Sequence, residues 1–389
     1  MKKRFYLVFA FIIGVLMSGC TATLVPDQAV IIDQSRCCQL QPQSVEVSTE
    51  VVVEGLDRPW GFVFLPDDSI LVTERPGSLR RIADGAVSEP LAGVPDVADI
   101  NQGGLLDIVL DPDFDKTRQV FFTYAVDDGS GYGTAVARAR LNLEANRLDN
   151  LETIFSSNIK SSGGRHFGSR LRFSSDKTLL VTLGDRGDPM RAQDPFDHAG
   201  SVIRINRDGS APVDNPFADG KEGLPEIWSI GHRNPQGAAV HPLTGEYWTL
   251  SHGDAGGDEV NRPKAGLNFG WPIISYGTKY SGAGFPEGAA APGYEQPVYY
   301  WDPSIAPSGL EFYVHDNPLI PEWNGSLMVG ALAGRHLSRL SIQNGRVVRE
   351  EQYFENEFGR IRDIRTGPDG ALWMITDSSS GQLIRVTGR

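Results

Sequence analysis

Trp60-Gly-Phe-Val-Phe-Leu-Pro-Asp-Asp-Ser-Ile-Leu-Val-Thr-Glu74 returns near the other end of the chain as Ile361-Arg-Asp-Ile-Arg-Thr-Gly-Pro-Asp-Gly-Ala-Leu-Trp-Met-Ile-Thr-Asp377. Each is an apolar strand, a turn carrying Asp, and a second strand rich in Leu, Val or Trp, so the two are one module. Degenerate copies begin near Gly104 (Leu-Leu-Asp-Ile-Val-Leu-Asp-Pro-Asp-Phe), Ser169 (Arg-Leu-Arg-Phe-Ser-Ser-Asp), Gln236 (Gly-Ala-Ala-Val-His-Pro-Leu-Thr-Gly) and Ser308 (Gly-Leu-Glu-Phe-Tyr-Val), which makes six. Short strands at a regular spacing, many Gly and Pro turns and no heptads predict an all-β, six-bladed β-propeller. The stretch Val45–Val53 is expected to join the last blade and close the ring. A ring of small cores escapes the size limit on a single hydrophobic core, which lets one domain take up most of the 389 residues. A two-domain β-sandwich is the alternative architecture.

Outward from the repeats, the N-terminus reads Lys2-Lys3-Arg4, an apolar run from Phe5 to Leu16, then Met17-Ser18-Gly19-Cys20. The run is short for a membrane span, and small residues before a cysteine suit a lipoprotein signal peptidase. The expected division is a lipoprotein signal peptide over 1–19, a tether over 20–43 after a lipidated Cys20, and the propeller over 44–389. That places the chain in a bacterial periplasm, anchored by lipid to the outer membrane. Cys37 and Cys38 lie in the tether and have no assigned role; no cysteine falls in the propeller. The formal charge of −13 drops to about −16 without Lys2, Lys3 and Arg4. An acidic chain with no large Lys/Arg cluster excludes nucleic acid as a partner.

In a propeller the loops of one face converge on the axis, so distant motifs can be pooled. Asn101-Gln102-Gly-Gly104, Gly164-Arg-His166-Phe-Gly168, Gly184-Asp185-Arg-Gly187, His232-Arg233-Asn234, Tyr280 and Arg360-Ile-Arg362 all stand beside strand ends. His166, among glycines, is the best candidate for a base, with Asp185 to hold its tautomer. Arg233, Arg360 and Arg362 predict a site for an acidic small molecule, since guanidinium grips carboxylate in a planar, two-bonded geometry; blade-to-blade ion pairing is the alternative. The stretch Ser251-His252-Gly253-Asp254-Ala-Gly-Gly257-Asp258-Glu259-Val-Asn261 offers backbone carbonyls and hard oxygen donors for calcium, or else a solvated acidic turn. No Gly-x-Gly-x-x-Gly opens a helix, and Walker, Gly-x-Ser-x-Gly and His-x-x-x-His patterns are absent. This disfavours Rossmann cofactor binding, phosphate cradling, α/β-hydrolase chemistry and a histidine metal site.

These motifs, with Leu183-Gly-Asp-Arg-Gly, Asn268-Phe-Gly-Trp-Pro and Ala331-Leu332, resemble the soluble aldose sugar dehydrogenases that depend on pyrroloquinoline quinone (PQQ), grouped as glucose/sorbosone dehydrogenases. The resemblance runs over roughly Val45 to Val386. It implies a six-bladed propeller with PQQ flat over the axis and oxidation of an aldose at C1 to the lactone. It assigns His166 as the base and Asp185 as its orienting partner. Gln102, Arg233, Asn234, Tyr280, Arg360 and Arg362 match the family's PQQ contacts. The carbonyls of Gly253 and Asp254 match the ligands of a calcium ion beside the cofactor, and Glu259 and the Phe269 carbonyl those of a second. Two positions depart from the pattern: Ala333 stands where relatives carry a cofactor-binding lysine, and Asp254 replaces a proline. The implied partners are an aldose and a downstream electron acceptor. Two other functions fit the same motifs: a sugar- or anion-binding propeller without tight PQQ binding, and a calcium-dependent propeller lactonase.

Overall fold

The computed structural model describes Ile32, Gln34 and residues 40–389. In modules one, two, three and six the turn is made by an aspartate whose side chain accepts backbone hydrogen bonds, and in modules four and five by His241 and His315. Asp67 Oδ1 accepts hydrogen bonds from the Ser69 N–H (3.2 Å) and hydroxyl (2.6 Å). Asp369 Oδ1 accepts from Ala371 N–H (3.1 Å) and Asp176 Oδ1 from Thr178 N–H (3.0 Å), so the recurrent Asp in the sequence is a turn former.

Six antiparallel sheets result, in strand order around the ring. Their innermost strands are Pro59–Phe64, Leu105–Leu110, Leu171–Phe173, Pro235–Val240, Pro307–Tyr313 and Ile361–Thr366, one for each module seen in the sequence. Each touches the innermost strand of the next blade, and the sixth touches the first. Glycines allow this approach: a Cβ on Gly61 would meet Asp107 Oδ1 at 2.8 Å, and one on Gly237 the Ser308 carbonyl oxygen at 2.4 Å. Val47–Leu56 adds a fourth strand to the last blade by pairing with Gly381–Gly388, Val51 opposite Ile384, so the two ends of the domain close the circle.

Apolar cores fill the six gaps between blades. Val53, Phe62, Val72, Ile375 and Leu383 seal the gap across the closure. The smallest, between blades three and four, contains Leu180, Val202, Ala238 and Tyr247. The signal peptide, Cys20, Cys37 and Cys38 lie outside the described residues. Of the segment 20–43, Leu40–Gln41 runs parallel to Glu350 and Glu351 at the edge of blade five, and Gln34 exchanges hydrogen bonds with the Tyr300 backbone (3.0 and 2.9 Å). No helix among the described residues is long and apolar enough to cross a membrane.

The axis is held by charge. Arg170 is fully buried and pairs with Asp107 of blade two (3.3 Å) and Asp363 of blade six (3.0 Å). It also donates to the carbonyls of Gln236 (2.6 Å) and Arg362 (2.9 Å), and its guanidinium lies 4.1 Å from the Trp60 ring. Burial raises the Asp107 carboxyl, but Arg170, Arg172 and Arg365 outweigh it and hold Asp107 below its ordinary value. Removing one partner of such a pair strands the other. Arg170→Ala is therefore expected to lose about 3–5 kcal/mol, measured by urea unfolding; a loss under about 1 kcal/mol would contradict this account.

Candidate active site

Antiparallel hairpins bring the start of the first strand and the end of the second to the same face of the ring. Asn234, Ala306 and Arg360 each directly precede an innermost strand, while Arg75, His252, Leu332 and Asp377 each directly follow a second strand. All seven line one cavity of about 300 Å³ on the axis, together with Trp60, Gln102 and Arg362.

His166 flanks this cavity. Its backbone N–H donates to Gln102 Oε1 (2.8 Å), and its Nδ1 lies 2.6 Å from Asp185 Oδ1. Asp185 is buried and accepts two more bonds, from Trp271 Nε1 (2.9 Å) and the Gly187 N–H (2.8 Å). Burial alone would raise this carboxyl, but the bond from His166 and the other donors hold it below the ordinary value. An ionised Asp185 accepts a hydrogen bond from Nδ1–H and so keeps the proton there, which leaves the Nε2 lone pair as a proton acceptor. Nε2 has no hydrogen-bond partner among the described residues. The close approach behind it requires glycine: a Cβ on Gly184 would sit 2.1 Å from the His166 carbonyl oxygen.

The other cavity histidine cannot do this work. Burial, then Arg233, pushes the His252 imidazole down to about 3, and its Nε2 is bonded to the Pro307 carbonyl (2.7 Å). His232 is likewise pushed down to about 3 by burial and stacks on Phe269, ring centres 4.8 Å apart.

The three arginines meet at this end of the channel, but not as three free charges. Arg360 and Arg362 share Asp377 Oδ2 (3.0 and 2.8 Å), and Arg233 pairs with Asp254 (3.2 Å). Partial burial raises Asp377, yet the two guanidiniums hold it far below the carboxylate range. Asn234 Oδ1 accepts from the Gly168 N–H (3.1 Å), which ties the His166 loop to blade four. Tyr280 stands apart: its side chain is 76% exposed, and it reaches the site through its backbone N–H, which donates to Asp254 Oδ2 (3.3 Å).

The acidic loop divides in two. Asp254 is spent on Arg233 and Tyr280, so the departure from proline adds an anchor for Arg233 rather than a metal ligand. Asp258 is consumed inside the protein: it accepts from Gly253 N–H (2.8 Å), Ser304 Oγ (2.7 Å) and the N–H groups of Ile305 (2.8 Å) and Ala306 (3.0 Å). The carbonyl oxygens of Gly253 and Asp254 accept no backbone hydrogen bond among the described residues. Glu259 and Phe269 line a second, small cavity together with Asn261, whose Oδ1 is buried without a partner, and burial pushes the Glu259 carboxyl up to about 7. Among the described residues no three His, Cys, Asp or Glu side chains converge as a metal site. Any cation here would be held largely by backbone and amide oxygens, the donor set calcium accepts.

Trp60, Arg75, Gln236, Asp377 and Trp271 were not singled out in the sequence. For Arg75 and Asp377 the signal was there: both end the same module, one residue past the second strand.

A family model described as Glucose / Sorbosone dehydrogenase matches residues 56–385. The chain is 42% identical over 348 residues to the aldose sugar dehydrogenase YliI of Escherichia coli (strain K12), covering 88% of this chain and 93% of that one. It is similar to the crystal structure of the soluble aldose sugar dehydrogenase from Escherichia coli in its apo form, at a TM-score of 0.85 and 42% identity, over 88% of this chain and all (100%) of that one. The PQQ-bound aldose sugar dehydrogenase from Streptomyces coelicolor superposes at a TM-score of 0.72 with 27% identity, over 89% of this chain and 100% of that one.

The contact behind His166 yields a direct test. Gly184→Ala is expected to push the His166 backbone aside and destabilise the protein by about 1–3 kcal/mol, read by chemical denaturation, with the His166–Asp185 bond lost in a crystal structure of the variant.

Proposed function

The chain belongs to the glucose/sorbosone dehydrogenase family, and from that premise we propose that it oxidises an aldose at C1 to the lactone, with PQQ in the axial cavity and a calcium ion beside it. The observation that carries this reading is the His166–Asp185 pair, at 2.6 Å, on the flank of a cavity ringed by arginines. The donor set suits an acidic planar cofactor: guanidiniums for carboxylates, and Gln102, Asn234 and Gln236 for ring and carbonyl groups. Two carbonyls without backbone donors, on Gly253 and Asp254, suit a calcium ion. The Glu259, Asn261 and Phe269 group, with its orphaned amide oxygen, suits a second.

When bound, PQQ supplies the electrophilic quinone carbon that takes a hydride, and calcium the Lewis acid that polarises it. The chain supplies the proton chemistry. His166 Nε2 removes the proton of the C1 hydroxyl, while Asp185 keeps the proton on Nδ1 and stabilises the imidazolium that forms. Trp271 and Gly187 hold Asp185 in line, and its own N–H donates to the Arg233 carbonyl (2.8 Å), so base and arginine share one frame. Electrons leave to a downstream acceptor. We place the mature chain in the periplasm on a lipid attached to Cys20, supported by the Met17-Ser18-Gly19-Cys20 sequence behind an apolar run.

Apoprotein given PQQ and calcium is expected to reduce a redox dye with at least one of a panel of aldoses; folded protein that reduces it with none would sink the reading. His166→Asn is expected to keep PQQ bound and lower kcat by about a hundredfold or more. Asp185→Asn, with the wrong tautomer favoured, is expected to lower kcat by about a thousandfold. Unchanged turnover in either would remove that residue from its role.

A further inference from the structure

We propose that Arg75 is a binding residue of the axial cavity, supplying the one cation among the described residues lining it that no described carboxylate neutralises, and receiving a carboxylate of the bound acidic quinone. The inference rests on the functional reading above and names a contact that the sequence resemblance does not. Four arginines gather at this end of the channel. Arg360 and Arg362 are claimed by Asp377, and Arg233 by Asp254. Arg75 lines the same cavity, makes no ion pair among the described residues, and has its Nε buried without a hydrogen-bond partner. A buried guanidinium nitrogen left unpaired is costly, and the cost is relieved when an anion enters.

The position is built rather than incidental. Arg75 directly follows the strand Ile70–Glu74, and its backbone is fastened on both sides, N–H to the Arg58 carbonyl (3.1 Å) and carbonyl from the Leu105 N–H (2.9 Å). Gly104 leaves room for it: a Cβ there would lie 2.0 Å from the Arg75 carbonyl oxygen and 2.6 Å from its Cγ. Among the described residues, blade five lines the cavity with Ala306 and Leu332 and with no cation. Arg75 is therefore the guanidinium on blade one that would receive a carboxylate.

The test is titration of PQQ, with calcium present, into the wild-type apoprotein, Arg75→Lys and Arg75→Gln, followed by absorbance or calorimetry. The trimethyl ester of PQQ, which carries no carboxylate, serves as the second probe. Arg75→Gln is expected to weaken PQQ binding by about tenfold to a hundredfold, with Arg75→Lys between it and the wild type. The ester is expected to bind all three proteins alike. Equal PQQ affinity in Arg75→Gln and wild type overturns the proposal, as does an equal loss for PQQ and its ester, the mark of a merely structural residue. Failure of the wild type itself to bind PQQ overturns the functional reading and this inference with it, an outcome distinct from loss in the variants alone.

Discussion

Arg170 is the point at which the ring becomes one object. A guanidinium presents five donors in a fixed plane, and here they reach Asp107 of blade two, Asp363 of blade six, the Gln236 carbonyl of blade four and the Arg362 carbonyl of blade six, with the Trp60 ring of blade one against its face. The residue itself directly precedes the first strand of blade three. Apolar cores hold each blade to its neighbours through non-directional contacts. A fully buried ion cannot slide, because every displacement leaves charge without a partner. The register of the blades at the axis is thus set by electrostatics, and Gln236 and Arg362, both cavity residues, inherit their backbone positions from it.

Above that axle the same logic is repeated at lower burial. Asp377 draws Arg360 and Arg362 together, Asp254 holds Arg233, and Asp258 gathers four donors that shape the Gly253–Asp254 loop. Carboxylates that look in the sequence like a ligand set are mostly organisers of other side chains. The site consequently carries less net positive charge than its arginines suggest, and the His166–Asp185 pair is kept apart from that balance: His166 has its own buried aspartate, fixed by a tryptophan and a backbone N–H.

The repeated strand-turn-strand module was legible because hairpins with an Asx turn leave a local signature, and the six modules correspond to the six innermost strands. His166 and Asp185 were legible as a pair because glycines surround both and leave few reasons for an imidazole and a carboxylate to be there except function. The role of Trp60 was not: it sits in an ordinary strand, and the guanidiniums it faces, Arg170 and Arg362, belong to other blades. Tyr280, grouped with the site by its polar neighbours, instead exposes its ring and contributes a backbone N–H.

Periodicity, turn chemistry and motif content by themselves determined the number of blades and marked His166 and Asp185, which the structure brings to 2.6 Å of each other. These are properties of short segments, and short segments fold according to their own residues. Which carboxylate claims which arginine, which guanidinium stays unclaimed, and which acids serve the fold rather than a metal were decided only when the ring closed. Pairings of this kind join residues as far apart as Arg170 and Asp363, and their energy depends on burial that no single segment possesses.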